Sequence, residues 1–280
     1  MDGLPKEVLA VNPLCFLASK GGVDEVRAVE KIKYSERMGL LDIQTLFNEV
    51  RAFCQANANP ANIKKYSRYF VEGYDAYGVD FKLIVPQRDQ WLGKYRASIG
   101  LQGFLDLGDQ LIKTGKYEEA SFAISFISQF EDEYTPQTLE RVAKWLDDGI
   151  RNWAHTDILS GGVLPVFLIK KIVPLEGLST WRHAASKWMR RAVPVTLIEL
   201  LKAGFPPKSL LDFIEPMMTD EEKVVHQGLG WFLREAWKVK PAPVEDFLLR
   251  WKDRCARLII QYATEKMTPE QKMSFKKAKG

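Results

Sequence analysis

The spacing of apolar residues is the feature that most limits what this chain can fold into. From about residue 24 onward, apolar side chains recur at intervals of three to four residues, which is the period of an α-helix. One such stripe consists of Leu41, Ile43, Leu46, Phe47, Val50 and Phe53. Gly, Asn and Pro residues separate the helical segments. The pattern predicts an all-α fold of helices of about three to four turns joined by short loops.

Several helix starts and ends can be predicted from local signals. Thr135-Pro136 predicts a helix whose buried face holds Leu139, Val142, Leu146 and Ile150. Thr268 with Gln271, and Thr219 with Glu222, have the spacing of capping boxes. Further helices are predicted over 61–73, 87–98, 101–114 and 117–130. The alternating Val79, Phe81 and Leu83 favour a loop or short strand over 78–86.

The helices have no crisp sequence repeat, but pairs of roughly forty residues are their natural unit. This favours a HEAT-like helical-repeat solenoid with a concave basic face. An irregular globular α-bundle is the alternative. Residues 1–55 are expected to form an N-terminal extension with the first helices, and residues 56–280 one continuous solenoid domain. Residues 1–22 are predicted to be irregular.

Composition narrows the class of function. The chain of 280 residues carries a net charge of +4 and has a pI of about 8.8, which permits a nucleic-acid partner without requiring one. Nucleotide-binding and serine-hydrolase motifs are not found. Neither the histidines nor Cys15, Cys54 and Cys255 have metal-ligand spacing, so we expect no metal and no cofactor. Reduced thiols, no signal peptide and no membrane span together predict a cytoplasmic protein.

The first candidate site is Asn152-Trp153-Ala154-His155-Thr156-Asp157. In a helix, Trp153 and Asp157 lie on one face, where a π surface and a negative charge together suit a cationic transition state. The alternative is a core Trp followed by an Asp that caps the next helix.

The second candidate is the helix predicted over 221–238. Its apolar stripe contains Val225, Leu229, Phe232, Leu233 and Ala236, while Gln227, Trp231, Arg234 and Lys238 lie about opposite. Trp231 is therefore expected either to be exposed beside a cation or to pack against the next repeat.

The third candidate is the basic stretch from Trp181-Arg182-His183 to Lys187-Trp188-Met189-Arg190-Arg191. Its charges have one sign, with Glu176 and Glu199 outside it, which favours phosphate binding. A solvated surface is the more common explanation of such a run.

Four pieces in order carry a family resemblance: Trp153-x-x-x-Asp157, Trp188-Met189-Arg190-Arg191-Ala192, Gly230-Trp231-Phe232-Leu233-Arg234-Glu235 and a helical tail with Tyr262-Ala263. Over roughly residues 60–265 the chain resembles the AlkD-like DNA alkylation repair proteins, which are HEAT-like alkylpurine DNA glycosylases. The chain departs from the family pattern at Ala154, at an apparent insertion of residues 160–162, and at Pro194, which is expected to interrupt the basic helix.

The resemblance implies roles for individual residues. Asp157 matches the catalytic carboxylate, and Trp153 and Trp231 match two aromatics that flank the deoxyribose. Arg191 and Arg234 match arginines that hold the DNA backbone, and Tyr69 matches a third aromatic. The neighbouring Lys187 and Arg190 complete the predicted DNA-binding set.

The resemblance implies a monomeric enzyme that hydrolyses the N-glycosidic bond of cationic N3- or N7-alkylated purines in duplex DNA. Such a base leaves easily, and a carboxylate can stabilise the oxocarbenium-like sugar and orient water. Two alternatives remain open: a non-catalytic DNA-binding relative, and a protein–protein adaptor.

Overall fold

The chain is all-α and HEAT-like. The computed structural model describes the backbone of residues 22–276 and the side chains of residues 37–276. It contains thirteen α-helices and no strand over the described range. The helices are α1 (Gly22–Ala56), α2 (Pro60–Ser67), α3 (Phe81–Lys113), α4 (Tyr117–Ile127), α5 (Pro136–Lys144), α6 (Trp153–Gly162), α7 (Leu164–Ile169), α8 (Lys187–Lys202), α9 (Pro207–Ile214), α10 (Lys223–Val239), α11 (Pro241–Trp251), α12 (Arg257–Ala263) and α13 (Pro269–Met273).

The helices from α4 onward are arranged in two layers. Helices α4, α6, α8, α10 and α12 each contact the next in that order and form one layer, which we call the inner layer. Helices α5, α7, α9 and α11 form the other. In it α5 contacts α7 and α9 contacts α11, and α7, α9 and α11 also pack against the first layer. A single apolar core runs through this stack and continues into α1 and α3. The layering matters for function because residues at equivalent ends of successive inner helices come together.

Two of the three predicted capping signals are confirmed. Thr135 caps α5 and Thr268 caps α13, each in a reciprocal pair with the residue three positions later. The third prediction is wrong: Thr219 ends a 3₁₀ turn over Glu215–Thr219, and α10 begins at Lys223 without a side-chain cap.

The segment before α3 differs from the prediction. Helix α2 ends at Ser67 instead of residue 73, and α3 begins at Phe81. Residues 78–80 therefore form the predicted loop, while residues 81–86 are helical and no part of 78–86 is a strand. The side chain of Asp80 caps α3. The preceding loop is held by the buried Glu118 carboxylate, which accepts hydrogen bonds from the backbone N–H groups of residues 77, 78 and 79. This contact lies about 40 positions away in the chain, beyond the reach of a local pattern.

Of two predicted helix interruptions, the one at Gly100 is confirmed. The two helical stretches of α3 meet at a kink at Gly100, where φ is 56° and the backbone is not helical. Pro194, by contrast, does not interrupt α8, which runs unbroken from Lys187 to Lys202.

The N-terminal part of the chain contributes to the core. Ile43, Leu46, Val50 and Cys54 of α1 are buried, and α1 packs against α3 and α4. The predicted domain boundary at residue 55 therefore falls inside α1. The irregular segment predicted over residues 1–22 lies almost wholly outside the described residues, as does Cys15. None of the described helices is long and apolar enough to cross a membrane.

Candidate functional site

A cleft of about 480 Å³ opens where the inner helices begin. Its walls include Trp153 at the start of α6, Trp188 in the first turn of α8 and Lys223 at the start of α10. The opposite wall is the loop of residues 69–73, and Tyr262 of α12 lies at one end. Helix N-termini carry partial positive charge, so a cleft at three of them favours an anionic ligand.

The start of α6 is fixed by a buried polar cluster. Asn152, and not Asp157, caps this helix, accepting a hydrogen bond from the His155 N–H. The His155 ring stacks on Tyr117 with centroids 4.4 Å apart, and its two nitrogens lie 2.8 Å from Asn152 Nδ2 and 2.9 Å from Ser121 Oγ. Burial lowers the pKa of His155 to about 4, so the ring is neutral at pH 7. These contacts hold Trp153 at the cleft.

Asp157 lies one turn further along α6 and forms a bidentate ion pair with Arg191 of α8. Arg191 Nε donates to Asp157 Oδ1 at 2.8 Å, and Arg191 Nη2 donates to Oδ2 at 2.8 Å. The third nitrogen, Nη1, donates to the Val224 carbonyl at 2.6 Å. Both side chains are largely buried. The pair therefore joins the starts of α6, α8 and α10 and sets the orientation of the carboxylate.

Burial raises the pKa of the Asp157 carboxyl above its ordinary value, and the Arg191 guanidinium opposes that rise. A carboxylate has about four lone-pair positions, so two hydrogen bonds from Arg191 leave acceptor capacity on both oxygens. Asp157 is not among the residues that line the cleft, and its side chain is 16% exposed; its partner Arg191 does line the cleft.

An aromatic wall runs from α6 to the loop that follows α2. Trp153 stacks on Phe70 with ring centroids 5.6 Å apart and an interplanar angle of 16°. Its indole N–H donates to the Tyr69 carbonyl at 3.0 Å. The Tyr69 side chain is itself exposed at the cleft, and its hydroxyl accepts a hydrogen bond from Arg68. The structure thus brings Trp153 and Tyr69 together.

Helix α10 presents Gln227, Trp231 and Arg234 to the cleft. The five apolar residues predicted for its opposite face are all fully buried. Trp231 is partly buried and also packs against the core. The two explanations of this Trp are therefore both partly right, since it lines the cleft and contributes to packing.

Tyr262 is a cleft residue to which sequence reasoning assigned no role. Its hydroxyl accepts a hydrogen bond of 3.0 Å from the Gln227 side-chain amide. The approach of α12 to α10 requires a glycine at residue 230, because a Cβ there would lie 2.4 Å from Tyr262 Cβ and 2.9 Å from the Ile259 carbonyl oxygen. In the sequence, the glycine directly before Trp231 is the signal for this close approach of α12.

The cations of the predicted DNA-binding set, Lys187, Arg190, Arg191 and Arg234, all have acidic partners. Lys187 pairs with Glu72 of the loop, and Arg234 with Glu235 and Glu265. Arg190 pairs with Asp220 at 2.7 Å. These acids come from distant parts of the sequence or from neighbouring turns, so Lys187, Arg190 and Arg191 of the single-signed run are neutralised in the fold. Arg182 of the same run instead donates to the backbone carbonyls of Ser179 and Phe213.

Arg190 also lies apart from the cleft. It lines a separate cavity with Arg182 and His183. Two exposed cations that the sequence did not single out, Arg151 and Lys223, do line the cleft. Neither forms an ion pair with the residues that the structure describes. Arg151 directly precedes the Asn152 cap, and Lys223 is the first residue of α10. Both cations therefore reach the cleft because a helix starts there.

Across residues 37–276, no group of three or more His, Cys, Asp or Glu side chains is placed to hold a metal ion. Cys54 and Cys255 are both buried, as expected of structural thiols.

Comparison with known proteins identifies the family. The model of the DNA alkylation repair enzyme family matches residues 50–267, which include every cleft residue described above. The chain belongs to the DNA alkylation repair enzyme family. Membership assigns it a role in the repair of alkylated DNA, with DNA as its partner.

Two solved structures are similar in fold to this chain. A predicted DNA alkylation repair enzyme from Enterococcus faecalis is 17% identical, with a TM-score of 0.60; the match covers 76% of this chain and 98% of that one. The protein smu.31 from Streptococcus mutans UA159 is 19% identical, with a TM-score of 0.52, covering 67% of this chain and 94% of that one. At these identities the likeness concerns the fold. No curated protein sequence matches the chain.

Proposed function

We propose that this DNA alkylation repair protein is a glycosylase that hydrolyses the N-glycosidic bond of cationic N3- or N7-alkylated purines in duplex DNA. An alkylated purine already carries positive charge, so it leaves without a general acid. The deoxyribose then develops oxocarbenium character, as sugars do in glycoside hydrolysis. Asp157 stabilises that charge and orients the attacking water.

The observation that carries the proposal is the orientation of Asp157 by Arg191, the partner that lines the aromatic cleft. Arg191 fixes both carboxylate oxygens at 2.8 Å, so the negative charge is oriented before substrate arrives and needs no reorganisation during the reaction. Trp153 and Trp231 both line the cleft, where their π faces attract a cationic sugar or base.

DNA would be held by charge at the mouth of the cleft. The starts of α6, α8 and α10 present partial positive charge. Arg151 and Lys223 add exposed cations without acidic partners among the described residues. Tyr69 and Arg234 line the same cleft and are proposed to contact the backbone beside the lesion.

A non-catalytic DNA-binding protein of the same fold is the second candidate. The observation that favours it is the engagement of both Asp157 oxygens by Arg191, because the carboxylate could then serve only to neutralise a buried guanidinium. This candidate keeps the cations of the cleft and predicts no base release.

The test measures release of 7-methylguanine and 3-methyladenine from methylated duplex DNA under single-turnover conditions. We expect base release from the wild type and a rate near background for Asp157→Asn, with DNA affinity nearly unchanged. Absence of release by the folded wild-type protein would favour the binding-only candidate.

The chain offers a matched control for this variant. The Arg190–Asp220 pair has side chains 16% and 7% exposed, and the Arg191–Asp157 pair 7% and 16%. Breaking one partner of such a pair costs about 3–5 kcal/mol in either case. Asp220→Asn should therefore lose similar stability but keep its base-release rate. Equal rate losses in both variants would make Asp157 a structural residue.

A further inference from the structure

Part of the loop wall of the cleft is held to α8 by a single ion pair. The carboxylate of Glu72 pairs with the ammonium group of Lys187, which is the first residue of α8 and directly precedes the cleft residue Trp188. Val71 is 99% exposed. Among the described residues, no other side-chain hydrogen bond or ion pair involves residues 71–73. We call residues 71–73 the strap.

Both ends of the strap are anchored, and neither anchor depends on that ion pair. Before the strap, Phe70 stacks on Trp153, and its carbonyl accepts a hydrogen bond from the Gly73 N–H. After the strap, the Asp75 carbonyl accepts a hydrogen bond of 2.8 Å from the Tyr117 N–H. Loss of the ion pair would therefore free the strap without disturbing the aromatic wall.

The ion pair keeps an acidic side chain at a cleft that is proposed to bind DNA. The side chain of Glu72 is 46% exposed and that of Lys187 is 27% exposed, so water reaches both ions. Ion pairs of this kind contribute little to stability, because water screens the charges and two long side chains must be held in one geometry. A phosphate oxygen can therefore replace the carboxylate at Lys187 at a small cost. Glu222 lies 4.0 Å from the Lys187 nitrogen, at the limit of an ion pair.

The acids that pair with the other predicted DNA-binding cations are less easily displaced. Arg190 and Arg191 pair with acids that are largely buried. Glu235 directly follows Arg234 on α10, so it stays beside that arginine when DNA binds. Of these acids, only Glu72 lies on the strap, from which it can move away.

We propose that Lys187 is a binding site for one phosphate of the DNA backbone, and that Glu72 occupies this site in the free protein. The carboxylate and the phosphate carry charge of the same sign, so binding of the phosphate releases Glu72 into solvent. The inference rests on the DNA-binding cleft of the proposed function and deepens it by naming an internal competitor of DNA. It does not depend on the chemistry of base release.

The test is a double-mutant cycle that measures binding of an undamaged duplex by fluorescence anisotropy. We expect Glu72→Gln to lower Kd roughly two- to fivefold, the factor that an exposed ion pair contributes to an equilibrium. In the Lys187→Ala background, Glu72→Gln should leave Kd unchanged, because no cation remains for which carboxylate and phosphate compete. Thermal melts establish that each variant is folded.

Asp132→Asn is the matched control, since it also removes one negative charge from an ion pair. Asp132 pairs with Lys170 at 2.7 Å, and neither residue lines the cleft, so Kd should stay the same. The inference is overturned if Glu72→Gln binds the duplex as the wild type does, or if the folded wild type binds no duplex. An equal fall in Kd with and without Lys187 also overturns it, because Glu72 would then only repel DNA.

Base release from methylated duplex DNA is assayed separately, so that the two proposals can fail independently. The expected changes in Kd without base release support the phosphate site and contradict the proposed glycosylase. Base release with no effect of Glu72→Gln on Kd does the opposite.

Discussion

Arg151 and Lys223 differ from the other cations near the cleft because they have no acidic partner among residues 37–276. A cation that neutralises a DNA phosphate releases counterions, and each contact contributes about 0.9 to the slope of log K against log salt. The slope is negative, and we expect Arg151→Ala and Lys223→Ala each to reduce its magnitude by about one unit. Fluorescence-anisotropy titrations at several salt concentrations measure it.

Arg190→Ala serves as the contrasting variant, because Arg190 pairs with Asp220 and lies away from the cleft. It should leave the salt slope nearly unchanged. If Arg190→Ala lowered the slope as much as Lys223→Ala, DNA would cross the molecule along another surface.

Position at the cleft was easier to predict for the aromatic residues Trp153 and Trp231 than the availability of the cations proposed to bind phosphate. The i, i+4 spacing of Trp153 and Asp157 is a local property, and so is the position of Trp231 opposite an apolar stripe. Whether a cation is available depends on acids that the fold brings to it, such as Glu72 beside Lys187. Residue spacing along one segment contains no information about such partners.

Trp231 lines the cleft and also packs against the core, so its substitution should affect both stability and activity. Truncating a fully buried Trp costs about 3–5 kcal/mol, while surface changes stay within about 0.5 kcal/mol. Because Trp231 is partly buried, Trp231→Ala should lower the free energy of unfolding by about 1–2 kcal/mol and remove most of the base-release rate. Denaturant melts and the release assay measure the two effects.

The buried Trp145, which is 3% exposed, provides the comparison. Trp145→Ala should lose markedly more stability than Trp231→Ala. Equal losses would mean that Trp231 acts mainly in packing between the helices, and the aromatic cleft would then rest on Trp153.

At the scale of single elements, α6 owes its position to a buried imidazole. Burial lowers the pKa of His155 to about 4, against an ordinary value of about 6.5. Between these pH values the unfolded chain binds a proton that the folded protein does not bind. The free energy of unfolding should therefore fall by up to about 3 kcal/mol as the pH falls from 6.5 to 4.

His155→Phe is the suitable variant, because it keeps a ring against Tyr117 but cannot titrate. It is expected to be less stable at pH 7, since it loses the contacts with Asn152 and Ser121. The decisive quantity is the pH dependence: the difference in free energy of unfolding between wild type and variant should shrink between pH 6.5 and 4. A constant difference would show that His155 is not held neutral by burial.

Two helix starts were predictable from local signals, although the equally local Thr219–Glu222 signal was wrong. The Thr135 and Thr268 caps involve residues three positions apart. The loop before α3 depends instead on Glu118, and the unbroken path of α8 through Pro194 depends on packing against α10, where Pro194 lies close to Gly228. Contacts of that kind become visible only in the folded protein.

At the scale of the whole molecule, the fold class can be predicted from the spacing of apolar residues, because the buried face of each helix is visible in its own sequence. The extent of the folded unit cannot be predicted in this way, because it depends on which helices share a core. Ile43, Leu46 and Val50 of α1 are buried in the core that includes α3 and α4. The family match begins at residue 50, inside α1.

This shared core predicts the outcome of truncation. Each buried Leu, Ile or Val contributes roughly 1.5–3 kcal/mol, and a domain is stable by only about 5–15 kcal/mol. A chain of residues 56–280 lacks α1 and exposes its binding surface on α3, so we expect no cooperative thermal transition. Residues 37–280 retain Ile43, Leu46 and Val50 of α1, which are buried, and should melt cooperatively with a midpoint that circular dichroism measures. If residues 56–280 melted at that same midpoint, α1 would be an appendage and the boundary predicted at residue 55 would stand.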